Sequence, residues 1–343
     1  MACPIIGEHG NREYYDRLAF QFGVGVSTPS YSSRRIWKDQ SVRNGGNIQD
    51  RINAIGKCVN NMEELKAEEY NQSPAGIAEA RNEITFDNTQ YFANLKYNFF
   101  GLVANLGNYG TVGLSMTNFN SGRIDVTTAL RPDGNGNYYE MSDVALGLAY
   151  AKKLTDRFSI GGVAKYIHSS LFRMHTSAMA FDVGTLFKSP LLGLTIGMSI
   201  SNFGNAVKYD GANTIIRHDV DLINSGNNDK ILGNLRTNSW DLPLIFRFGV
   251  ARSFNMQALG TIIMSADALH PNNNNESLNF GMEYGFRQSV FLRVGYKSFG
   301  LEDSQEGLTF GGGVAYHLLR VDYSYSDFGL LDNVQRFSFS VRF

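Results

Sequence analysis

The clearest pattern in the chain is a period-two alternation of apolar and polar residues that begins near residue 84 and runs to the end. Leu194, Ile196, Met198 and Ile200 interleave with Thr195, Gly197, Ser199 and Ser201. Leu278, Phe280, Met282, Tyr284 and Phe286 interleave with Asn279, Gly281, Glu283 and Gly285. Similar rows run through 112–116, 144–151, 158–166, 179–187, 242–250, 290–297, 308–316 and 321–325. Successive side chains of a strand point to opposite faces, so each row predicts a strand with one greasy and one polar face. The last is the most regular. Phe337, Phe339, Val341 and the terminal Phe343 share one face, and Arg336, Ser338, Ser340 and Arg342 share the other. Taken alone, that strand suits a soluble sandwich as well as an outer-membrane barrel ending on an aromatic.

Two further features separate these alternatives. The second face is mostly Gly, Ala, Ser and Thr, with isolated charges at Lys165, Asp182, Arg247, Glu283, Arg293, Arg320 and Asp322. A soluble sandwich needs a densely charged polar face, whereas small residues with a few paired ions suit a crowded barrel lumen. The connections also alternate in length from the C-terminus backwards. Stretches 326–333, 299–306, 269–276, 204–241 and 119–142 are long, and 170–176 is moderate. The turns near 318–319, 286–288, 253–256, 189–192 and 154–156 are short. Outer-membrane barrels have short periplasmic turns and long external loops, so the expected fold is all-β: a transmembrane antiparallel barrel of about 14 strands over 81–343. The first two strands are placed around 91–97 and 100–106, with Ile84-Thr85-Phe86 as an alternative first strand. The terminal face Phe337, Phe339, Val341 and Phe343 is expected to serve as the barrel's assembly signal.

Residues 1–80 are expected to form a separate segment, either plug- or hatch-like or anomalous. It carries one helical pattern over Arg51–Tyr70, where Ile52, Ile55, Val59, Met62 and Leu65 recur at three- and four-residue steps. Such a helix either packs in or under the barrel or binds a partner. Met1 to Gly10 lacks the basic and apolar regions of a secretory signal, which an exported protein needs, so the native start is expected to differ from this one.

Composition adjusts this picture little. With 31 basic and 32 acidic residues, the chain lacks the basic excess of a nucleic-acid binder. No run approaches the 18 apolar residues of a membrane helix, a criterion that barrels do not meet either. The two cysteines, Cys3 and Cys58, offer neither a disulfide framework nor a metal spacing. The six histidines show no zinc pattern. His168 and His175 flank an outer loop among serines, but no orienting third partner accompanies them, as a Ser/His nucleophile would require. Gly311-Gly312-Gly313 lies within a strand pattern, so it predicts close packing or a bend rather than a phosphate loop. No enzyme activity and no cofactor are expected.

Several segments, in order, resemble the PorV/PorQ family of outer-membrane proteins, distant relatives of FadL-type hydrophobic transporters. They are Ser142 to Ala151, Leu154 to Gly161, Asp182 to Leu186, Ile200 to Gly204, Asp267 to Pro271, Gly281 to Tyr284, Leu292 to Tyr296 and Asp322 to Tyr325. The family's hatch motif, Asn-Pro-Ala-Gly, is matched by Ser73-Pro74-Ala75-Gly76, with Ser73 in the Asn position. Residues 1–72 depart from the family pattern. The resemblance implies a non-enzymatic barrel in the lipid of the bacterial outer membrane, monomeric within a larger assembly. It would act in type IX protein secretion, its outer loops 205–239 and 120–141 binding the translocon or cargo with a C-terminal sorting domain. The alternative it implies is a FadL-like passive transporter of hydrophobic small molecules.

Overall fold

The computed structural model describes residues 74–79, 82–91, 95–125, 136–190, 193–218, 231–256, 259–273, 275–287, 289–299, 307–327 and 333–343. The expected helix at 51–70, both cysteines and Ser73 lie outside the described residues.

Fourteen antiparallel strands form a closed barrel. They are β1 (Glu83–Gln90), β2 (Lys96–Asn105), β3 (Thr111–Asn120), β4 (Met141–Thr155), β5 (Phe158–Leu171), β6 (Met174–Lys188) and β7 (Leu194–Gly204). The second half comprises β8 (Ile245–Asn255), β9 (Thr261–Pro271), β10 (Ser277–Phe286), β11 (Val290–Phe299), β12 (Leu308–Tyr316), β13 (Leu319–Asp327) and β14 (Asn333–Arg342). Each strand pairs with its chain neighbour, and β1 pairs with β14 to close the ring. Closure removes the two unpaired edges that an open sheet would present.

The alternation sets the two surfaces. Phe337 and Phe339 on β14, Ile84 and Phe86 on β1, Leu146 and Leu148 on β4, and Phe280 and Met282 on β10 all point outward and are exposed. Ser338 and Ser340, Thr85 and Asp87, and Ala149 and Ala151 on the same strands are buried inside. A closed sheet with an apolar exterior and a polar interior is the strand-built way to cross a bilayer, because every strand's backbone groups are satisfied by its neighbours.

The structure corrects the expected start of the barrel. The first strand contains Ile84-Thr85-Phe86, and Tyr91, beyond its end, donates its N–H to the Leu95 carbonyl at 2.9 Å. It also corrects the 170–176 loop. β5 and β6 continue to Leu171 and from Met174, joined only by Phe172-Arg173. His168 and His175 therefore sit on strands rather than flanking a loop.

Two bulges near the long-loop end share one construction. At Asn202 (φ 64°) the pairing of β6 with β7 slips between Phe181 and Val183, and the Asn202 N–H donates to Asp182 Oδ1 at 2.8 Å. At Ser298 (φ 55°) the pairing of β10 with β11 slips between Leu278 and Phe280, and the Ser298 N–H donates to Asn279 Oδ1 at 2.8 Å. In each case an inward side chain satisfies the N–H that the bulge removes from the ladder. The next residue, Phe203 or Phe299, is turned back to the exterior.

Candidate functional site: the barrel interior

The predicted inner charges fall into local sets. On β5 and β6, Lys165 forms a salt bridge with Asp182 and donates to Asn202 Oδ1 at 3.3 Å. On β10 to β13, Arg293 Nε meets Glu283 Oε2 at 2.5 Å and Arg293 Nη1 meets Asp322 Oδ1 at 2.7 Å. Arg320 Nε completes this set on Asp322 Oδ2 at 2.8 Å, and its guanidinium lies over the Phe291 ring at 4.2 Å. The glycine run explains how the set fits. A Cβ on inward-facing Gly313 would lie 2.2 Å from Asp322 Oδ1, so the missing side chain makes room for the carboxylate. Arg247 occupies the inner row of β8, in register with Ser199 and Leu269. It stands apart from the Arg293 set in the strand order.

The chain-closing seam carries two inner ion pairs outside the predicted set. Arg336 Nη2 lies 2.5 Å from Asp87 Oδ2, and Arg342 Nε lies 3.3 Å from Glu83 Oε2. Arg336 and Arg342 belong to the terminal polar face already visible in the sequence. Their partners lie on β1, the strand whose position the sequence left open.

The matched hatch residues Pro74, Ala75 and Gly76 are buried, as are Ile77 and Ala78 after them. A short 3-10 turn, Gly76–Glu79, lies against β3, β4 and β5. Its seat is a row of small inner residues in register, Ala151, Gly161 and Gly184. A Cβ on Gly161 would sit 2.1 Å from the Pro74 carbonyl oxygen and 2.7 Å from the Ala75 nitrogen. The Gly/Ala character of this stretch therefore has a local cause: backbone packs directly on backbone.

The interior is not uniformly small and polar. Ile77, Ala78, Tyr91, Leu95, Tyr97, Phe99, Val103, Phe119, Met141, Ala149, Ala151, Val163, Tyr209 and Val334 form one buried apolar cluster. It extends from the hatch turn towards the long-loop end along the inner wall of β1 to β5, with Val334 of β14 and Tyr209 of the 205–244 connection joining it. The charged Arg293 set lies on the other half of the ring, while the apolar wall is itself interrupted by the inner charges Glu83, Asp87, Asp143 and Lys165. Tyr97, Phe99 and Val103 were not legible as lumen residues, because Phe99-Phe100 and Leu102-Val103 break the alternation that assigns faces.

The long 205–244 connection adds to the apolar wall. Val207 and Trp240 exchange backbone hydrogen bonds at 2.8 and 3.0 Å. Their pairing turns Tyr209 inward, against the Trp240 ring at 5.3 Å between centroids. The Tyr209 hydroxyl lies 2.6 Å from Ser169 Oγ, and Ser169 in turn donates to Asp143. Burial, and then the neighbouring Asp143 carboxylate, hold the Tyr209 phenol well above its usual range. The phenol therefore stays protonated and can donate.

No protein-family model matches the chain, and no curated protein matches it by sequence. Solved structures do match. The CymD monoaromatic hydrocarbon channel aligns with a TM-score of 0.54 at 11% identity, over 88% of this chain and 98% of that one. The toluene transporter TbuX of Ralstonia pickettii aligns with a TM-score of 0.52 at 11% identity, over 82% and 94%. A FadL homologue from Pseudomonas aeruginosa aligns with a TM-score of 0.50 at 12% identity, over 87% and 97%. At these identities the likeness is one of fold.

Proposed function

We propose that this protein is a non-enzymatic outer-membrane channel for small hydrophobic molecules. The observation that carries this reading is the apolar cluster running from the mouth residues Tyr91, Leu95, Met141 and Tyr209 to the hatch residues Ile77 and Ala78. The cluster is packed, so an apolar solute passes by parting these side chains, which replace its water with apolar contact at successive positions. The fold shared with the CymD and TbuX channels supports the same reading. That likeness lends more support to the transporter alternative than to the secretion role implied by the PorV/PorQ resemblance.

Phe99, fully buried in the middle of the cluster, provides the test. Replacing it with Glu removes roughly 60 Å² of apolar contact and adds a charge. At about 25 cal/mol per Å² this lowers the flux of an alkylbenzene into proteoliposomes by roughly tenfold. Wild-type flux no faster than that of protein-free liposomes overturns the channel reading. Unchanged flux through an assembled Phe99→Glu barrel removes the cluster from the path.

The outward face of β14 bears on delivery to the membrane. Phe337, Phe339 and Phe343 are exposed on the exterior, Val341 shares their row, and the Phe343 N–H donates to the Asn82 carbonyl at 3.0 Å. We read this face as the assembly signal. Deleting Phe343 is expected to cut the yield of heat-modifiable barrel in cell envelopes severalfold at equal synthesis; an unchanged yield refutes that role.

A further inference from the structure

We propose that Asp143, Ser169 and Tyr209 form a recognition site for an amino group on an otherwise apolar ligand. This inference rests on the channel reading and adds a substrate class to it: hydrophobic amines in preference to alcohols, with carboxylates disfavoured.

Five other inner acids each face a cation. Asp87 faces Arg336, Glu83 faces Arg342, Asp182 faces Lys165, and Glu283 and Asp322 face Arg293. Asp143 points inward from β4, in register with Phe119 and Ser169. Among the described residues no Lys, Arg or His side chain forms a salt bridge with it. Its partner is the Ser169 hydroxyl, which donates to Oδ1. Ser169 has one proton and commits it to Asp143, so in the Ser169–Tyr209 contact the phenol is the donor. Two hydroxyls in series therefore point their protons towards one carboxylate. Such a chain stabilises the negative charge without neutralising it.

The surroundings supply the rest of a binding site. Phe119, Met141 and Tyr209 belong to the apolar cluster, and Leu171, Met174 and Trp240 pack against it. Tyr209 reaches the carboxylate through Ser169 and carries the Trp240 ring against its own at 5.3 Å, and an organic cation is attracted to ring faces as well as to the charge. An ammonium on a small apolar body is thus matched at both ends. A hydroxyl can donate only one hydrogen bond there and brings no positive charge to offset the carboxylate, and a carboxylate ligand meets a like charge in an apolar setting. The loop contributes to the geometry as well. Thr237 Oγ1 donates to the Tyr209 carbonyl at 2.6 Å and Thr176 Oγ1 accepts from the Lys208 N–H at 3.3 Å. These bonds fix Tyr209 from both sides, so the site is preorganised.

The experiment uses the full chain in detergent with Trp37→Phe, leaving Trp240 as the reporter among the chain's two tryptophans. Four probes share one ring: benzylamine, benzyl alcohol, benzoate and toluene. Quenching of Trp240 is expected to show benzylamine binding at least about tenfold more tightly than benzyl alcohol, the size of effect a charge-assisted hydrogen bond gives, with benzoate weakest. Asp143→Asn is expected to close the gap between amine and alcohol while leaving toluene unchanged. Ser169→Ala, which keeps the carboxylate, is expected to retain the amine preference in reduced form. Equal wild-type affinities for amine and alcohol overturn the proposal without any variant, as does an amine preference that survives Asp143→Asn. Toluene binding with no amine preference leaves the channel reading standing and ends this one. Amine preference without toluene binding does the reverse.

Discussion

Replacing Arg336 with Ala is expected to destabilise the barrel by about 3–5 kcal/mol, the cost of removing one partner from a buried ion pair. The pair sits at the seam where β1 meets β14, joining residues 249 positions apart in the chain. The Arg336 side chain is 2% exposed and that of Asp87 is 0% exposed, so the remaining carboxylate cannot recover its hydration. Part of the loss is in specificity. A one-residue slip of β14 against β1 would turn Phe337 and Phe339 into the lumen and Ser338 and Ser340 out to lipid. A two-residue slip preserves the faces, and is resisted by the two ion pairs, which fix Arg336 on Asp87 and Arg342 on Glu83. Replacing both members, as Asp87→Leu with Arg336→Met, is expected to recover most of the stability, because the desolvation penalty disappears along with the attraction. Arg342→Ala should cost less than Arg336→Ala, since Arg342 is 22% exposed. Denaturant unfolding of liposome-reconstituted barrel, followed by heat-modifiable migration, orders the variants. Equal midpoints for wild type and Arg336→Ala would show that the seam pair contributes no stability.

The seam also marks the limit of what the sequence discloses. Strands such as β10 and β14 are legible because lipid on one side and a crowded lumen on the other impose opposite demands on alternate residues. β1 was hard to place because only Ile84 and Phe86 mark its exterior before Asn88 and Gln90 continue the outward row in polar residues. With β1 uncertain, Asp87 and Glu83 had no assigned face, and the arginines of β14 no partners. The inner charges legible in the sequence lie on strands with clean alternation. The Asp143–Ser169–Tyr209 set left no periodic trace. Asp143 and Ser169 meet through strand register, but Tyr209 joins them only because the Val207–Trp240 pairing folds a long loop inward. Local periodicity reports which face a residue occupies; it carries no information about which distant segment returns to that face.

Gly161 lies at the other functional junction, and replacing it with Val is expected to unseat the hatch turn. The new Cβ would lie 2.1 Å from the Pro74 carbonyl oxygen and 2.4 Å from its carbon. Both are backbone atoms, and the Cβ has no rotamer by which to avoid them. Either the turn lifts or β5 moves. The strand is held by ladders to β4 and β6 on both sides, so the turn gives way. Overpacking that a side-chain change cannot relieve falls at the upper end of the usual range, at least about 3 kcal/mol, and this corresponds to roughly a hundredfold rise in the unseated population. Two measurements follow that population. Limited proteolysis of reconstituted protein should cleave near 74–79 far faster in Gly161→Val than in wild type, while the barrel band keeps its heat-modifiable shift. Solute flux should rise for hydrophilic and apolar probes alike, because the turn is part of what fills the lumen beside the apolar wall. Gly162→Val, one residue along, is the matched control. It points to the exterior, where a Cβ meets nothing closer than 3.4 Å, and it should leave both measurements unchanged. Similar proteolysis and flux in the two variants would mean that the Pro74–Gly161 contact does not hold the turn in place.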